Sequence, residues 1–246
     1  MSELQAMNLT WLDYISFAWF VAWWTVYYLY CKYALKSKTC LARVMHGYRY
    51  DWMSRLLERD MRVADATIMT HLERNGAFFA SSSLLILAAL FTMLGSAEQA
   101  MGLLSELPFA TSDSRTEWEL KILLLIAIFV YAFFTFSWSM RQYNFCAILI
   151  GAAPEPRDKI VTEEDKSAYI EHTADLIDLA ANQFNFGLRA YYYGLAVLCW
   201  FWHPVIFMVV TVLITAVLYR REFHSKTLKA LIAAKDVNHK FKGIIR

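Results

Sequence analysis

The sequence predicts an all-α, polytopic helical membrane protein of about five transmembrane helices, the last two a tight hairpin, with amphipathic cytoplasmic helices. Three observations predict it. The chain is 58% hydrophobic and 16% aromatic over 246 residues, more apolar and less charged than a soluble domain of this length. Apolar runs of roughly twenty residues, enough to cross a hydrocarbon core, recur along it. The charges are segregated: no Lys or Arg precedes Lys32, whereas eight lie from Arg220 to Arg246. Such asymmetry sets topology, and the net charge of +2 conceals it.

The first span covers about 11–30 and carries Trp11, Trp19, Trp23, Trp24, Tyr27, Tyr28 and Tyr30. Aromatics at both ends suit the interfacial belts. Met1 to Asn8 has no basic n-region, and the run ends at Cys31-Lys32 rather than at a small-residue cleavage site. It is therefore expected to be an uncleaved anchor. Residues 40–75 predict a basic amphipathic helix. Leu57, Met61, Ala64, Ile68 and Leu72 recur at helical spacing, and Arg55, Arg59 and Arg62 line another face. Asp51 with Arg55, and Glu58 with Arg62, stand at i,i+4 in the favourable order, and Asp65 reads as an ion-pair partner of Arg62. This helix runs on into the second span, about 77–95, whose Ala77, Ala80, Ser81, Ser82, Ser83, Ala88 and Ala89 permit close helix contact.

The loop 96–119 is acidic, with Arg115 its only basic residue, and the third span, about 120–140, ends at Arg141. A short apolar piece from Phe145 to Ala153 stops at Pro154 and Pro156. Thr162 and Asp165 then make a capping-box-like start to a second cytoplasmic helix, about 163–184, with Ile170, Ala174, Ile177 and Ala181 on one side.

Residues 186–219 are apolar, with His203-Pro204 near the middle. As one kinked helix they make four crossings in all, and the basic C-terminus falls on the same side as the acidic loop. As a hairpin of 186–202 and 205–219, they leave Arg115 the only clearly external basic residue, with Lys121 at the border. The positive-inside rule selects the hairpin. Pro204 agrees, since proline starts a helix well and interrupts one badly. The expectation is one integral domain over 1–246 in the cell's inner membrane. Its N-terminus lies outside, and its basic tail, 220–246, lies in the cytoplasm on anionic lipid.

Ser137-Trp-Ser-Met-Arg-Gln-Tyr-Asn144 and Asn185-Phe-Gly-Leu-Arg-Ala-Tyr-Tyr-Tyr193, with His203-Pro204 and Leu218-Tyr-Arg-Arg-Glu-Phe223, resemble a membrane-protein family catalogued as domain of unknown function 599. The likeness covers nearly the whole chain. It implies a multi-spanning protein and brings no activity and no functional residues with it.

The residues themselves offer one constellation. Arg74-Asn75 precede the second span, Arg141, Gln142 and Asn144 close the third, and Asn182, Asn185 and Arg189 open the fourth. In the expected topology these lie at one depth. Asn182, Asn185, Arg189 and Tyr192 or Tyr193 share a helical face, and Thr135, Ser139 and Gln142 make a polar stripe. Arg supplies rigid multi-donor contacts to anions, and Asn supplies both donor and acceptor. The pattern points to a vestibule for a solute or a lipid head group. The plainer reading is that Arg snorkels and Asn joins helices. Arg189 favours the vestibule, because it stands a turn inside the fourth span, where it costs energy unless paired or hydrated.

His203 at the external turn is a pH-sensing candidate because imidazole titrates near neutrality, although an ordinary turn histidine is the commoner case. The other histidines (His46, His71, His172, His224, His239) show no metal spacing, and no metal or other cofactor is expected. Cys31, Cys40, Cys146 and Cys199 are scattered and read as apolar thiols. Asp13 reads as a helix-end polar residue rather than a proton site. No nucleophile elbow, P-loop or dinucleotide fingerprint appears, so an enzyme is not expected. The basic tail has little aromatic interleaving, which argues against nucleic acid.

Two functions fit. The first is a small homo-oligomeric channel or transporter for an anion or small solute, its Arg/Asn vestibule on the cytoplasmic side. The alternative is a non-transporting scaffold or accessory subunit that binds anionic lipid and docks a protein partner on its cytoplasmic helices.

Overall fold

The computed structural model describes residues 11–96, 115–156 and 160–244, without the side chains of 35–37 and 236–244. Most of the acidic loop, including Glu98, Glu106 and Asp113, therefore lies outside the described residues, as do the side chains of Lys240 and Lys242. Among the described residues the fold is all-helical. The helices are α1 (Trp11–Ser37), α2 (Leu41–Leu57), α3 (Val63–Gly95), α4 (Arg115–Ala152), α5 (Glu163–Leu198), α6 (Pro204–Phe223) and α7 (Lys226–Ile244), with a 3-10 turn at Cys199–Phe201. The helices Val63–Gly95, Arg115–Ala152 and the one beginning at Pro204 are long and apolar enough to cross a membrane. α1 is rich in Trp and Tyr, which score as weakly hydropathic although they suit an interface. α5 begins with the polar stretch after Glu163.

The chain divides into two compact units. The first holds Met1–Leu29, Phe78–Phe136 and Asn185–Ala216. Its interior is aromatic. Phe20 packs edge-on to Tyr193, with centroids 5.7 Å apart, and lies 5.3 Å from Phe207, which stacks on Trp200 at 4.9 Å. Ala80, Ser83, Leu87 and Leu90 form one buried stripe on α3, whereas Ser81, Ala88 and Ala89 are exposed. Only part of the small-residue set is therefore a helix contact within this unit. Asp13 is buried and accepts a hydrogen bond from Trp200 Nε1 at 2.8 Å, a helix-joining role.

The turn at His203-Pro204 is a hairpin. Tyr193 Oη and Thr215 Oγ1 lie 3.0 Å apart, whereas one continuous helix would separate them by about 33 Å. α5 and α6 are thus antiparallel arms. His203 caps α6: its Nδ1 accepts from Val205 N–H at 3.1 Å, and its carbonyl accepts from Phe207 N–H. Pro204 occupies the first helical position, where its missing N–H costs nothing.

The second unit holds Tyr30–Ala77, Ser137–Phe184 and Val217–Arg246. Its core joins Met53, Leu56 and Leu57 of α2, Met69 of α3, Tyr143, Cys146 and Ile150 of α4, and Ile170, Ala174, Ile177 and Ala180 of α5. The stripe Ile170, Ala174, Ile177 and Ala181 expected to face inward on α5 is buried throughout. Tyr143 and Cys146 are both buried in this core. All four cysteines are free thiols. α7 packs on α2 through a hydrogen bond from Tyr48 Oη to the Leu231 carbonyl at 2.8 Å. The Glu222 carboxylate accepts from Ala42 N–H at the start of α2, at 3.1 Å.

Three sequence expectations change. The 40–75 helix is broken at 58–62, and the break shifts the phase of the apolar face: Met61, Ala64 and Ile68 are exposed, while Asp65 and Met69 are buried. The 145–153 piece continues α4, and the 163–184 helix continues into the next segment as α5. Asp65 pairs with Arg59 rather than Arg62: its Oδ1 accepts from Arg59 Nη1 at 2.8 Å and from Trp52 Nε1 at 2.6 Å. Arg62 turns instead to the end of α4, where it donates to the carbonyls of Ile150, Ala153 and Pro154.

The capping box forms. Asp165 N–H donates to Thr162 Oγ1 at 3.1 Å, and Thr162 N–H donates to Asp165 Oδ2 at 3.0 Å. The Thr162 side-chain and backbone hydrogen bonds lower the Asp165 pKa below its ordinary 3.8. A depressed carboxylate contributes stability above its unfolded pKa and loses it as pH falls through the folded value. Protection from hydrogen exchange at the start of α5, taken relative to the intrinsic rate at each pH, should therefore fall as acid titrates Asp165. Thr162→Ala should move that midpoint up, towards 3.8; an unchanged midpoint would show that the box does not hold the carboxylate.

Candidate anion-binding site

Gly187 lets the start of the α5 arm approach α4 closely in the first unit. A Cβ there would meet the Phe136 ring at 2.6 Å. Two residues on, Arg189 is brought among aromatic residues of α1 and α4. Its guanidinium carbon lies 5.1 Å from the Tyr27 ring centroid and 5.7 Å from that of Phe186. Trp24, Tyr28, Tyr131 and Tyr193 complete a shallow cleft, open at its mouth, with an enclosed space of about 10 Å³. Only a water-sized body fits in its enclosed part, so any larger anion would occupy the mouth.

The cleft's electrostatics are simple. Among the described residues, no carboxylate pairs with Arg189 and no acceptor takes its N–H donors. Two aromatic faces offset part of the cost of holding the cation there, about 0.5–2 kcal/mol each. They supply no acceptor. The arrangement leaves a half-buried guanidinium beside two aromatic rings with no acceptor among the described residues, which suits a phosphate or carboxylate oxygen pair.

The other expected site residues divide between the units. Asn185 is exposed and Tyr192 half-buried on the arm that carries Arg189, and His203 is exposed at the turn. In the second unit Arg74, Asn75, Arg141 and Asn144 are exposed and Asn182 is half-buried. Arg141 lies over the Phe145 ring, 5.6 Å from its centroid. Gln142 is buried, and its Oε1 has no hydrogen-bond partner among the described residues. No hydrogen bond or ion pair joins these second-unit side chains to one another among the described residues. Of the polar stripe, Ser139 donates to the Ala180 carbonyl at 2.7 Å, and Thr135 donates to carbonyls of its own helix.

Sequence reasoning singled out Arg189 and put Tyr192 or Tyr193 on its face, and did not place the other aromatic residues around it. The one available signal was the density of Trp and Tyr on α1, which suits an interfacial belt equally well. No curated protein and no solved structure matches the chain. Residues 15–227 match the family described as "Protein of unknown function, DUF599", and the chain belongs to that family.

Proposed function

We propose that the protein is a five-span membrane protein that binds the phosphate of an anionic lipid at Arg189, on the cytoplasmic side, as a non-transporting scaffold or accessory subunit. The observation that carries this is the open, aromatic-backed guanidinium with no acceptor among the described residues. Depth supports it. Tyr27, which stacks on Arg189, stands sixteen residues after Trp11. That is about 24 Å along a helix, in a hydrocarbon core of about 30 Å. With the N-terminus outside, the cleft opens near the inner-leaflet head groups, within reach of a snorkelling Arg. The α5–α6 hairpin and the distribution of Lys and Arg support five crossings and a cytoplasmic C-terminus.

The second reading is a homo-oligomeric channel or transporter for an anion or small solute. It is favoured by exposed Asn185 beside Arg189, which a second copy could face to complete a polar path. Against it stands the aromatic filling of the first unit's interior, around Phe20, Tyr193 and Phe207.

Purified protein in nanodiscs separates the readings. Retention of anionic over zwitterionic lipid after a high-salt wash should fall about tenfold or more in Arg189→Ala, the equivalent of one charge-assisted hydrogen bond at ~1.5 kcal/mol. Arg189→Lys should fall between. Equal retention by wild type and Arg189→Ala overturns the lipid reading. Anion efflux from wild-type liposomes that Arg189→Ala abolishes, set against empty vesicles, would establish conduction instead.

A further inference from the structure

In the second unit, α2 and α5 are held together by the core that contains Met53 and Leu56 on one side and Ala174 and Ile177 on the other. Beside that core a polar edge brings three side chains together. His46 Nδ1 contacts Asp178 Oδ2 and lies 4.0 Å from Asp175 Oδ1. The ligand-capable atoms of His46, Asp175 and Asp178 all lie within 4.8 Å of one another. Arg49, one turn beyond His46, donates to the other oxygen of Asp178.

We propose that His46, Asp175 and Asp178 are the protein ligands of a divalent first-row transition-metal ion, of the zinc or manganese class. The donor set identifies the class. One imidazole nitrogen and two carboxylate oxygens suit Zn²⁺ or Mn²⁺, whereas Ca²⁺ takes six or more oxygens and thiolates select softer ions. The three donors converge, and the direct His46–Asp178 contact must open for an ion to enter between them. Donor atoms bonded at about 2.1 Å stand at most about 4.2 Å apart. The His46–Asp175 separation of 4.0 Å is already within that limit, and Asp175, 57% exposed, is free to adjust its rotamer. The charge also fits: with imidazole neutral, two carboxylates face one guanidinium.

Each neighbouring group has a place in such a site. Arg49 fixes the orientation of the Asp178 carboxylate, as outer-shell partners do for ligating groups. The half-exposed His46 and Asp175 leave an entry path and room for water in the remaining positions. The ligands come from two helices already joined by a buried core, so only side chains need to move to admit the ion. The bound ion clamps α2 to α5.

The test uses the full-length protein in mild detergent, stripped with chelator. Mn²⁺ is one probe, followed by electron paramagnetic resonance, since it disfavours the chain's free thiols. Zn²⁺ is the other, followed by calorimetry and by the thermal unfolding midpoint. Wild type is expected to bind one ion per chain and to unfold at a higher temperature with it. Asp175→Asn and His46→Gln should each weaken binding by at least about tenfold, and Arg49→Lys by about tenfold through loss of the fork on Asp178. Asp175→Asn is the decisive variant, because an exposed residue can change without unfolding the core; its midpoint in chelator should equal that of wild type. If wild type binds neither ion, or Asp175→Asn binds as tightly as wild type, the cluster is an ion pair between α2 and α5 and the proposal falls.

Discussion

Gly187→Val should lower the unfolding free energy by about 2–3 kcal/mol, the upper range for overpacking a tight interior. A Cβ at Gly187 would lie 2.6, 2.7 and 2.8 Å from three atoms of the Phe136 ring. Those atoms are the far end of a side chain, and in open space the ring would swing away. Phe136 has no such freedom. It is fully buried, its face stacks on Phe79 at 5.1 Å, and Tyr191 stands edge-on at 5.7 Å. The helix-propensity gain of Gly→Ala, up to about 1 kcal/mol, would partly mask the clash, and this makes Val the better probe. Reversible unfolding in mixed detergent micelles measures the loss. Phe136→Leu in the Val background should recover about 1 kcal/mol or more, a coupling absent between independent sites. Additive losses from the two substitutions would show that the close approach is not what Gly187 provides. Because Arg189 is two residues on, Gly187→Val should also weaken lipid retention more than Arg141→Ala does.

The parts of this fold that were legible are those fixed locally or by partition between water and lipid. The α5–α6 hairpin followed from where Lys and Arg fall around His203-Pro204, and the hydrogen bond between Tyr193 and Thr215 places its arms side by side. The Thr162–Asp165 box and the buried stripe on α5 came from spacing alone. The break at 58–62 did not. Glu58-Arg59-Asp60-Met61-Arg62 contains neither Gly nor Pro, and its apolar periodicity runs on unbroken. Two of its arginines find their partners outside the segment, Arg59 at Asp65 and Arg62 on carbonyls of α4. The candidate site divides in the same way. Helical spacing put Arg189 in an apolar segment, where it demanded an explanation. No spacing could say that Tyr27 would supply one face of its cage, or that Arg74, Asn75, Arg141 and Asn144 would be exposed. His46 and Asp178 lie too far apart in sequence for any metal motif to register. Only the packing of α2 on α5 brings them together.

Arg62→Met should destabilise the second unit by roughly 3 kcal/mol, the cost of leaving buried carbonyls without their charged donor. α4 ends at Ala152 and is followed by Ala153-Pro154-Glu155-Pro156. A helix leaves its last carbonyls without intrahelical partners, and neither proline has an N–H to offer them. Arg62 fills the gap: Nη1 donates to Ala153 O at 2.6 Å and more weakly to Ile150 O at 3.4 Å, and Nη2 donates to Pro154 O. Ile150 and Ala153 are buried, so water cannot replace the guanidinium without opening the core around Tyr143 and Cys146. The positive charge also opposes the negative end of the α4 dipole. Met keeps most of the length and apolar stem of Arg, which isolates the loss of its head. Arg62→Lys keeps the charge but reaches fewer carbonyls at once, and should cost about half as much. Tyr169→Phe removes the hydroxyl that donates to Leu149 O in the same turn, and should cost about 1 kcal/mol. Combined with Arg62→Met its effect should be less than additive, because both act on the last turn of α4. A loss in Arg62→Met below about 0.5 kcal/mol, the usual range for a surface substitution, would show that these carbonyls are satisfied without it.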